Sequence, residues 1–476
     1  MKNFRGDVNR EITANYPERV LQIGEGNFMR GFIDWMIFDM NQKTDFNGRV
    51  VTIQPTPRGK IIPKLNSQNG LYTLVRRGIE NGKPVEHIEI IDSISRGINP
   101  YSDWQEALEV ARSEQIEFLF SNTTEAGLTY EKEDFLETES PFSFPGKVVA
   151  LLYHRYKNFD GASDKGWTII PCELIEKNGE ELQRICLQII ADWNLPYSFC
   201  EWLKNSCTFC NTLVDRIVPG YPNDEAEEWF DRLGYTDELL TIAEPYHLFV
   251  IEGPEELREK LPFIQSGLNV RLESISAYRN LKVKLLNAPH TIMTVIGLQL
   301  GIETVKEAVE DPLLGEFVKQ VMRNEIACIL PKDEQKQIDS YISETMDRFS
   351  NPFLQHLLKD ISLNSFAKFH VRVWPLIEEA KEENRDKLIF SLAALITMFH
   401  NSEGLKDDQK VTTAFDKFYK RDYTNQNVLK DFIVMEIFNE WQQDEMKLSN
   451  IANLVIEDVR LIQQLGMREA LSFKLK

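Results

Sequence analysis

The spacing of apolar residues divides the chain in two. Through about residue 275, short apolar runs alternate with stretches at helical spacing. Residues 19–23, 50–53, 71–75, 87–91, 116–120 and 168–171 read as strands, and HLFVIE near residue 250 as another. Residues 28–40, 104–113, 147–156 and 180–193 carry the helical period. Beyond 275 the strand signals fade. Amphipathic segments at 291–300, 312–330, 335–349, 387–399, 412–419, 427–441 and 450–466 predict helices alone. The expected class is therefore α/β: a Rossmann-like doubly wound sheet over residues 1–275, then a mostly α-helical domain over 276–476. At 476 residues, two hydrophobic cores are the natural expectation.

The first strand runs directly into Gly24-Glu25-Gly26, then a helix, then a second strand, which are the dimensions of a nucleotide-binding βαβ unit. Gly24 permits the tight turn. Gly26 lets backbone N–H groups approach a pyrophosphate at the start of the helix. Asn27 and Phe28 follow, and Met29 stands where a third glycine is usual. Arg30, one turn into the helix, is placed to reach a phosphate or to be a surface charge. The second strand ends at Gln54 and not at the acid that commonly holds a ribose, and Arg58 offers itself to a 2′-phosphate instead. These residues alone leave NAD and NADP both open. A strand over 116–120 ends in Ser121, Asn122, Thr123, Thr124 and Glu125. This is a ligand-binding position in a doubly wound sheet, or else a turn that caps a helix.

The stretch KVKLLNAPH holds three polar groups of different chemistry among leucines. On an α-helix, Asn287 lies about 140° and His290 about 80° around from Lys282. An ammonium, a carboxamide and an imidazole on one broad face suit the reduction of a carbonyl. A solvated lysine, a capping asparagine and a packed histidine are the plain alternative. Pro289 lies inside the motif and is expected to kink the helix there. The motif falls at the expected junction of the two domains. In residues 212–219, Asp215 and Arg216 sit among apolar neighbours, as a structural ion pair or facing a polar cleft. Asn178, beside Gly179, reads as a turn residue or a site amide.

Net charge is −20, with no basic run, which argues against nucleic acid and anionic membrane as partners. Neither a signal core nor a run of 18 apolar residues is present, so a cytoplasmic protein is expected, as a monomer or small homo-oligomer. Six scattered cysteines are too few for a disulfide framework. Cys207 and Cys210 form a CxxC, but no second CxxC and no HxxxH pair completes a four-ligand metal set, so two half-buried thiols are expected.

Read together, YPERVLQIGEGNFMRGFIDW, FSNTTEAG, DKGWTIIPCELI, TLVDRIVPGYP, KLLNAPHT and NPFLQHLL resemble the long-chain polyol dehydrogenase family that includes mannitol 2-dehydrogenase, in particular its members acting on keto-uronates. The resemblance runs nearly end to end. It implies a zinc-independent, NAD-dependent reductase that converts D-tagaturonate to D-altronate in galacturonate breakdown. Fructuronate or fructose as the ketone, or a non-catalytic NADH-binding protein, are the alternatives. By the same resemblance, Lys282 is the general acid and base, Asn287 and Asn178 hold the substrate oxygen, and His290 positions substrate. Asp215 and Lys368 contact substrate, and Gly24, Gly26, Phe28 and Arg30 belong to the dinucleotide signature. Asp360 stands where mannitol dehydrogenases have a polyol-binding arginine, so their sugar contacts do not transfer as a set. A substrate carboxylate needs a cation: Lys368 or Arg372 are the candidates, with His356 as a neutral donor. A lysine titrates ordinarily near about 10.4, so burial, with Arg216 nearby, is expected to ease its proton transfer.

Overall fold

The computed structural model describes residues 2–3, 16–123, 126–332, 335–353, 356–401, 406–438, 441 and 445–476. It divides into two compact units, Met1–Arg77 with Val85–Ser276, and Gly78–Pro84 with Ala277–Lys476.

The first unit is built on β1 (Glu18–Ile23), β2 (Arg49–Ile53), β3 (Ile94–Ile98), β4 (Phe118–Ser121), β5 (Thr168–Pro171) and β6 (Thr208–Phe209). These lie in the order β3-β2-β1-β4-β5-β6, every pair parallel. Strand order reverses between β1 and β4, the place where doubly wound sheets hold their ligands.

Successive strand residues point to opposite faces, and the two faces have separate cores. Val20, Val50, Phe118 and Phe120 pack on Ile33, Met36, Ile37 and Met40, which belong to the helix Ile33–Lys43. Leu21, Val51, Leu119 and Ile169 pack with Leu108, Val148, Leu151, Leu182 and Ile185. The helices on that side are Trp104–Arg112, Phe144–Asn158 and Asn178–Asp192. Asp103 and Ser143 cap the first two, accepting from the backbone N–H of Glu106 and Gly146 at 2.9 Å each. A strand buried on both faces reads as a continuous apolar run, which is why 19–23 and 116–120 were legible.

β3 was not expected. Its sequence, ISRGI, carries a serine and an arginine that work at the sheet edge: Arg96 Nε donates to Glu18 at 2.9 Å and Ser95 Oγ to Val50 O at 2.8 Å. Residues 71–75 and 87–91 are strands as expected, but they lie in a separate three-stranded sheet with Thr241–Ala243.

From Ile275 onward the described regular elements are helical apart from an isolated bridge. Their shared core includes Leu285, Leu286, Ile292, Val295, Phe317, Phe369, Trp374, Leu395 and Val455. Two expected helices are broken by wider turns. Residues 312–330 comprise the α-helix Leu314–Gln320 and the π-turn Val321–Ile326, and 427–441 the α-helix Gln426–Phe432 and the π-turn Ile433–Phe438. Among the described residues no helix is long and apolar enough to cross a membrane.

Candidate functional site

In the first unit, the turn after β1 shapes a cleft. Gly24 adopts φ +117, and a Cβ there would come within 2.6 Å of Asn122 O, so only glycine fits. Gly26 has open space where its Cβ would be. The cleft, about 430 Å³, is lined by Gly24, Glu25, Gly26, Pro55, Thr56, Asn122 and Thr123 among others. The turn is held from beneath by side chains. Gln22 Nε2 donates to Gly24 O at 2.9 Å, and Thr52 Oγ1 to the same oxygen at 3.3 Å.

Arg30 corrects an expectation. It is 2% exposed and does not face the cleft as a phosphate ligand. Its guanidinium donates to Glu25 O (2.6 Å), Asn27 Oδ1 (2.6 Å) and Thr241 Oγ1 (3.2 Å), so it clamps the glycine turn from inside. Phe28 stacks on Phe32 at 4.8 Å. Gln54 is fully buried, its amide donates to Thr56 O at 2.7 Å, and it is not among the residues that line the cleft. Arg58 is exposed and is not among the residues that line the cleft.

Across the cleft, Asn122 Nδ2 donates to Cys172 O at 2.9 Å. Thr123 N donates to Glu173 Oε1 at 2.9 Å, and Ser121 Oγ to Glu173 Oε2 at 3.0 Å. Glu173 was not singled out from the sequence. It is 3% exposed, and burial raises its pKa against the donors that surround it. Thr124 and Glu125 lie outside the described residues.

Asn178 also departs from expectation. It is fully buried, and the two hydrogens of its Nδ2 are shared among Pro171 O (3.0 Å), Glu173 O (3.0 Å) and Thr212 Oγ1 (2.9 Å), while Oδ1 accepts from Thr212 N (2.8 Å). An amide with every hydrogen engaged holds chain turns together and has none left for an oxyanion. Asp215 ends the strand Asn211–Asp215 and is 7% exposed. Arg216, expected beside the lysine, is engaged within its own unit. It donates to Glu244 O at 2.9 Å and Gly31 O at 2.7 Å and lies 4.3 Å over the Trp35 ring. Burial pushes it down to about 9. Cys207 and Cys210 are free, buried thiols, each pushed up to about 12 by that burial.

In the second unit, the Lys282 motif spans three helical segments of two kinds. The α-helix Ile275–Lys282 ends on the lysine, a π-turn runs over Val283–Asn287, and the α-helix Ala288–Gly297 follows. In a π-turn the bond joins residues five apart, here Ala288 N–H to Val283 O. Asn287, five residues on from Lys282, is therefore brought round toward the lysine's face and does not lie about 140° away as an unbroken α-helix would put it. The same turn accommodates Pro289. It occupies the first turn of the next helix, and the expected kink is a π-turn that ends two residues earlier. Lys282, Asn287 and His290 are all partly buried.

His290 packs against Phe349 at 4.4 Å and His356 at 5.1 Å between ring centroids. Desolvation holds the His356 imidazole below its ordinary range, against the pull of Asp360. Arg372 Nη1 meets Thr291 Oγ1 at 3.5 Å, and Thr291 Oγ1 donates to Asn287 O at 3.0 Å. Lys368 Nζ donates to Ile361 O at 2.8 Å. Lys368 is held below its usual value by desolvation and then by Arg372, and Arg372 is itself lowered by desolvation. The structure thus gathers Asn287, His290, Arg372 and His356 around one helix, with Lys368 one turn from Arg372. Among the described residues, no group of three or more His, Cys, Asp or Glu side chains is placed to hold a metal.

A parallel sheet in this order with a glycine cradle at its switch point suits a dinucleotide, and the chain's likeness to known proteins makes it a dehydrogenase acting on CH–OH groups with a nicotinamide cofactor. Residues 18–265 match the mannitol dehydrogenase Rossmann domain and residues 274–457 the mannitol dehydrogenase C-terminal domain, so the chain belongs to the mannitol dehydrogenase family. It is 44% identical to the altronate oxidoreductase of Halalkalibacterium halodurans, covering 97% of this chain and 94% of that protein. It is 42% identical to the altronate oxidoreductase of Bacillus subtilis, covering 96% and 95%. Among solved structures, a substrate-free D-sorbitol dehydrogenase shares the fold with a TM-score of 0.78 at 19% identity, covering 96% of this chain and 95% of that one. A mannitol 2-dehydrogenase from Pseudomonas fluorescens, solved with NAD and D-mannitol, does so at 0.62 and 19%, covering 97% and 95%.

Proposed function

We propose that the chain interconverts D-tagaturonate and D-altronate with NADH and NAD, in the breakdown of galacturonate. The observation that carries this reading is the likeness, over nearly the whole of both chains, to proteins named altronate oxidoreductase. The glycine cradle supports a dinucleotide: a backbone open at Gly26 and closed to any Cβ at Gly24 suits a diphosphate, held by Gly24, Gly26 and the Asn122-Thr123 edge. When bound, the nicotinamide supplies or accepts the hydride at the substrate carbon.

The rest of the chemistry falls to the chain. Lys282 gives its proton to the ketone oxygen as the new C–H bond forms, and takes it back from the hydroxyl in the reverse direction. Asn287 donates an amide hydrogen to that oxygen while negative charge grows on it, a contribution of roughly 3 kcal/mol for one preorganised donor. The π-turn that brings the two residues together supports this pairing. The sugar acid's carboxylate goes to Arg372 and Lys368, two partly desolvated cations one turn apart. His290 and His356 shape the pocket for the sugar hydroxyls.

The test is a panel. Purified protein is mixed with NADH and each of D-tagaturonate, D-fructuronate and D-fructose, and loss of NADH absorbance is followed. Fastest turnover of tagaturonate is expected. Faster turnover of fructuronate would overturn the substrate while leaving the dehydrogenase. Tight NADH binding without turnover of any sugar acid would overturn both.

A further inference from the structure

The fold places an acid at the end of its second strand to bind the hydroxyls of the adenosine ribose and refuse a 2′-phosphate. Here that strand, β2, ends at Ile53 and is followed by a buried Gln54 and an apolar Pro55-Thr56-Pro57 wall. The glycine turn, however, is stitched to the end of β2: Gly24 N donates to Ile53 O at 3.1 Å, and Thr52 Oγ1 to Gly24 O at 3.3 Å. The next residue is Glu25, which lines the cleft. Its backbone carbonyl is fixed by Arg30 at 2.6 Å. Glu25 is 7% exposed, and its Oε2 is sealed from water with no hydrogen-bond partner among the described residues. Glu131, the other described carboxylate in the lining, is exposed at the rim.

We propose that Glu25 is the residue by which this cleft selects an unphosphorylated adenosine ribose, taking over the task that the fold elsewhere gives to an acid at the end of its second strand. The inference rests on the dinucleotide reading of the cleft given above. A carboxyl in the cleft that the residues after β2 also line is placed to accept from ribose hydroxyls. The same carboxylate, buried and with no cation hydrogen-bonded to it, repels a phosphate brought to that place.

Among the described residues, the charges facing Glu25 are few. Arg30 lies beneath it, with its guanidinium engaged on Glu25 O, Asn27 and Thr241. Tyr101 lies on the β2 side, its hydroxyl donating to Pro55 O at 2.9 Å and accepting from the buried Lys147 Nζ at 2.8 Å. The Tyr101 phenol is raised by burial and by the carboxylates of Glu133 and Glu25. Lys147 is itself lowered to about 8 by burial. Burial pushes Glu25 up to about 7 against the weaker pull of its own amide and Arg30. The carboxylate form, which refuses the phosphate, therefore dominates above neutral pH and gives way to the neutral acid below it.

The test is fluorescence titration of NADH and NADPH into the full-length protein, the Glu25→Gln variant and, in case the first is unstable, Glu25→Ser. The unmodified protein is expected to prefer NADH, more strongly at pH 8 than at pH 6. Glu25→Gln is expected to cut the ratio of the two affinities by at least about tenfold and to flatten its pH dependence. Glu131→Gln should leave the ratio in place. An unchanged ratio in both Glu25 variants, a ratio that moves only in Glu131→Gln, or a native preference for NADPH would each overturn the assignment while leaving the dehydrogenase intact. Failure of both nucleotides to bind the unmodified protein would bring down the cofactor reading itself, and the assignment with it.

Discussion

At the scale of single residues, the surroundings of a side chain decide between chemistry and construction. Lys282 is partly buried at the mouth of a π-turn, and the proposed proton transfer predicts that Lys282→Ala lowers kcat by at least about a hundredfold with NADH affinity unchanged, as single-turnover kinetics would show. Asn178 is the opposite case. With four hydrogen bonds made inside its unit, Asn178→Ala is expected to destabilise the fold by roughly 2–4 kcal/mol, seen as an earlier urea or thermal transition. A variant that melts like the parent but loses turnover would return Asn178 to the substrate oxygen. Arg372→Ala is expected to weaken altronate binding by about tenfold or more while hardly changing affinity for an uncharged polyol. Equal losses for both would remove the arginine from the carboxylate. The residue types of the candidate site were legible because glycines, an ammonium and amides stand in unusual company. Their partners were not. Nothing in NFMRG reveals that Arg30 turns inward, since that depends on Thr241, 211 residues away in the chain.

At the scale of elements, most strands and helices followed from apolar spacing, because strands buried on both faces and helices buried on one leave plain periodicities. The elements that escaped are those whose spacing is broken by polar work, such as β3 with its arginine paired to Glu18, or by a widened turn. A π-turn inserts one residue without changing composition, so a window of hydrophobicity passes over it. The turn at Val283–Asn287 carries its own prediction. Inserting one residue after Lys284 should place the asparagine six positions beyond Lys282, about 120° around an α-helix, and so turn the two apart. The protein is expected to stay folded by circular dichroism while turnover falls about a hundredfold, the penalty usual for a small misplacement of a reacting group. Retained turnover would show that the pairing of Lys282 with Asn287 has no part in the chemistry.

At the scale of the whole molecule, acidity is unevenly sealed. Burial pushes Asp34 and Glu25 up to about 7 and Asp458 up to about 6. A carboxyl raised above its unfolded value binds protons more tightly when folded. Its contribution to stability is full below about pH 4 and is lost as pH rises through the folded pKa. The ligand-free protein should therefore melt at a higher temperature near pH 5.5 than near pH 8, and Asp34→Asn should shallow that slope. A melting temperature that rises steadily from pH 5.5 to 8 would contradict the burial of these groups. The division into an α/β unit and a helical unit was expected from the chain. The small excursion by which Gly78–Pro84 joins the second unit was not, because a seven-residue hairpin tip has no periodicity to read.

The sealed cysteines have a practical corollary. Cys172 and Cys210 lie in the core on one side of the six-stranded sheet and Cys186 and Cys207 in the core on the other, while Cys328 is exposed among the helices. A maleimide probe will mark Cys328 at once and the half-buried Cys200 next, and must wait for breathing motions before it reaches the four buried thiols. Peptide mapping of the adducts over time would then clock how often each layer opens, with no introduced label.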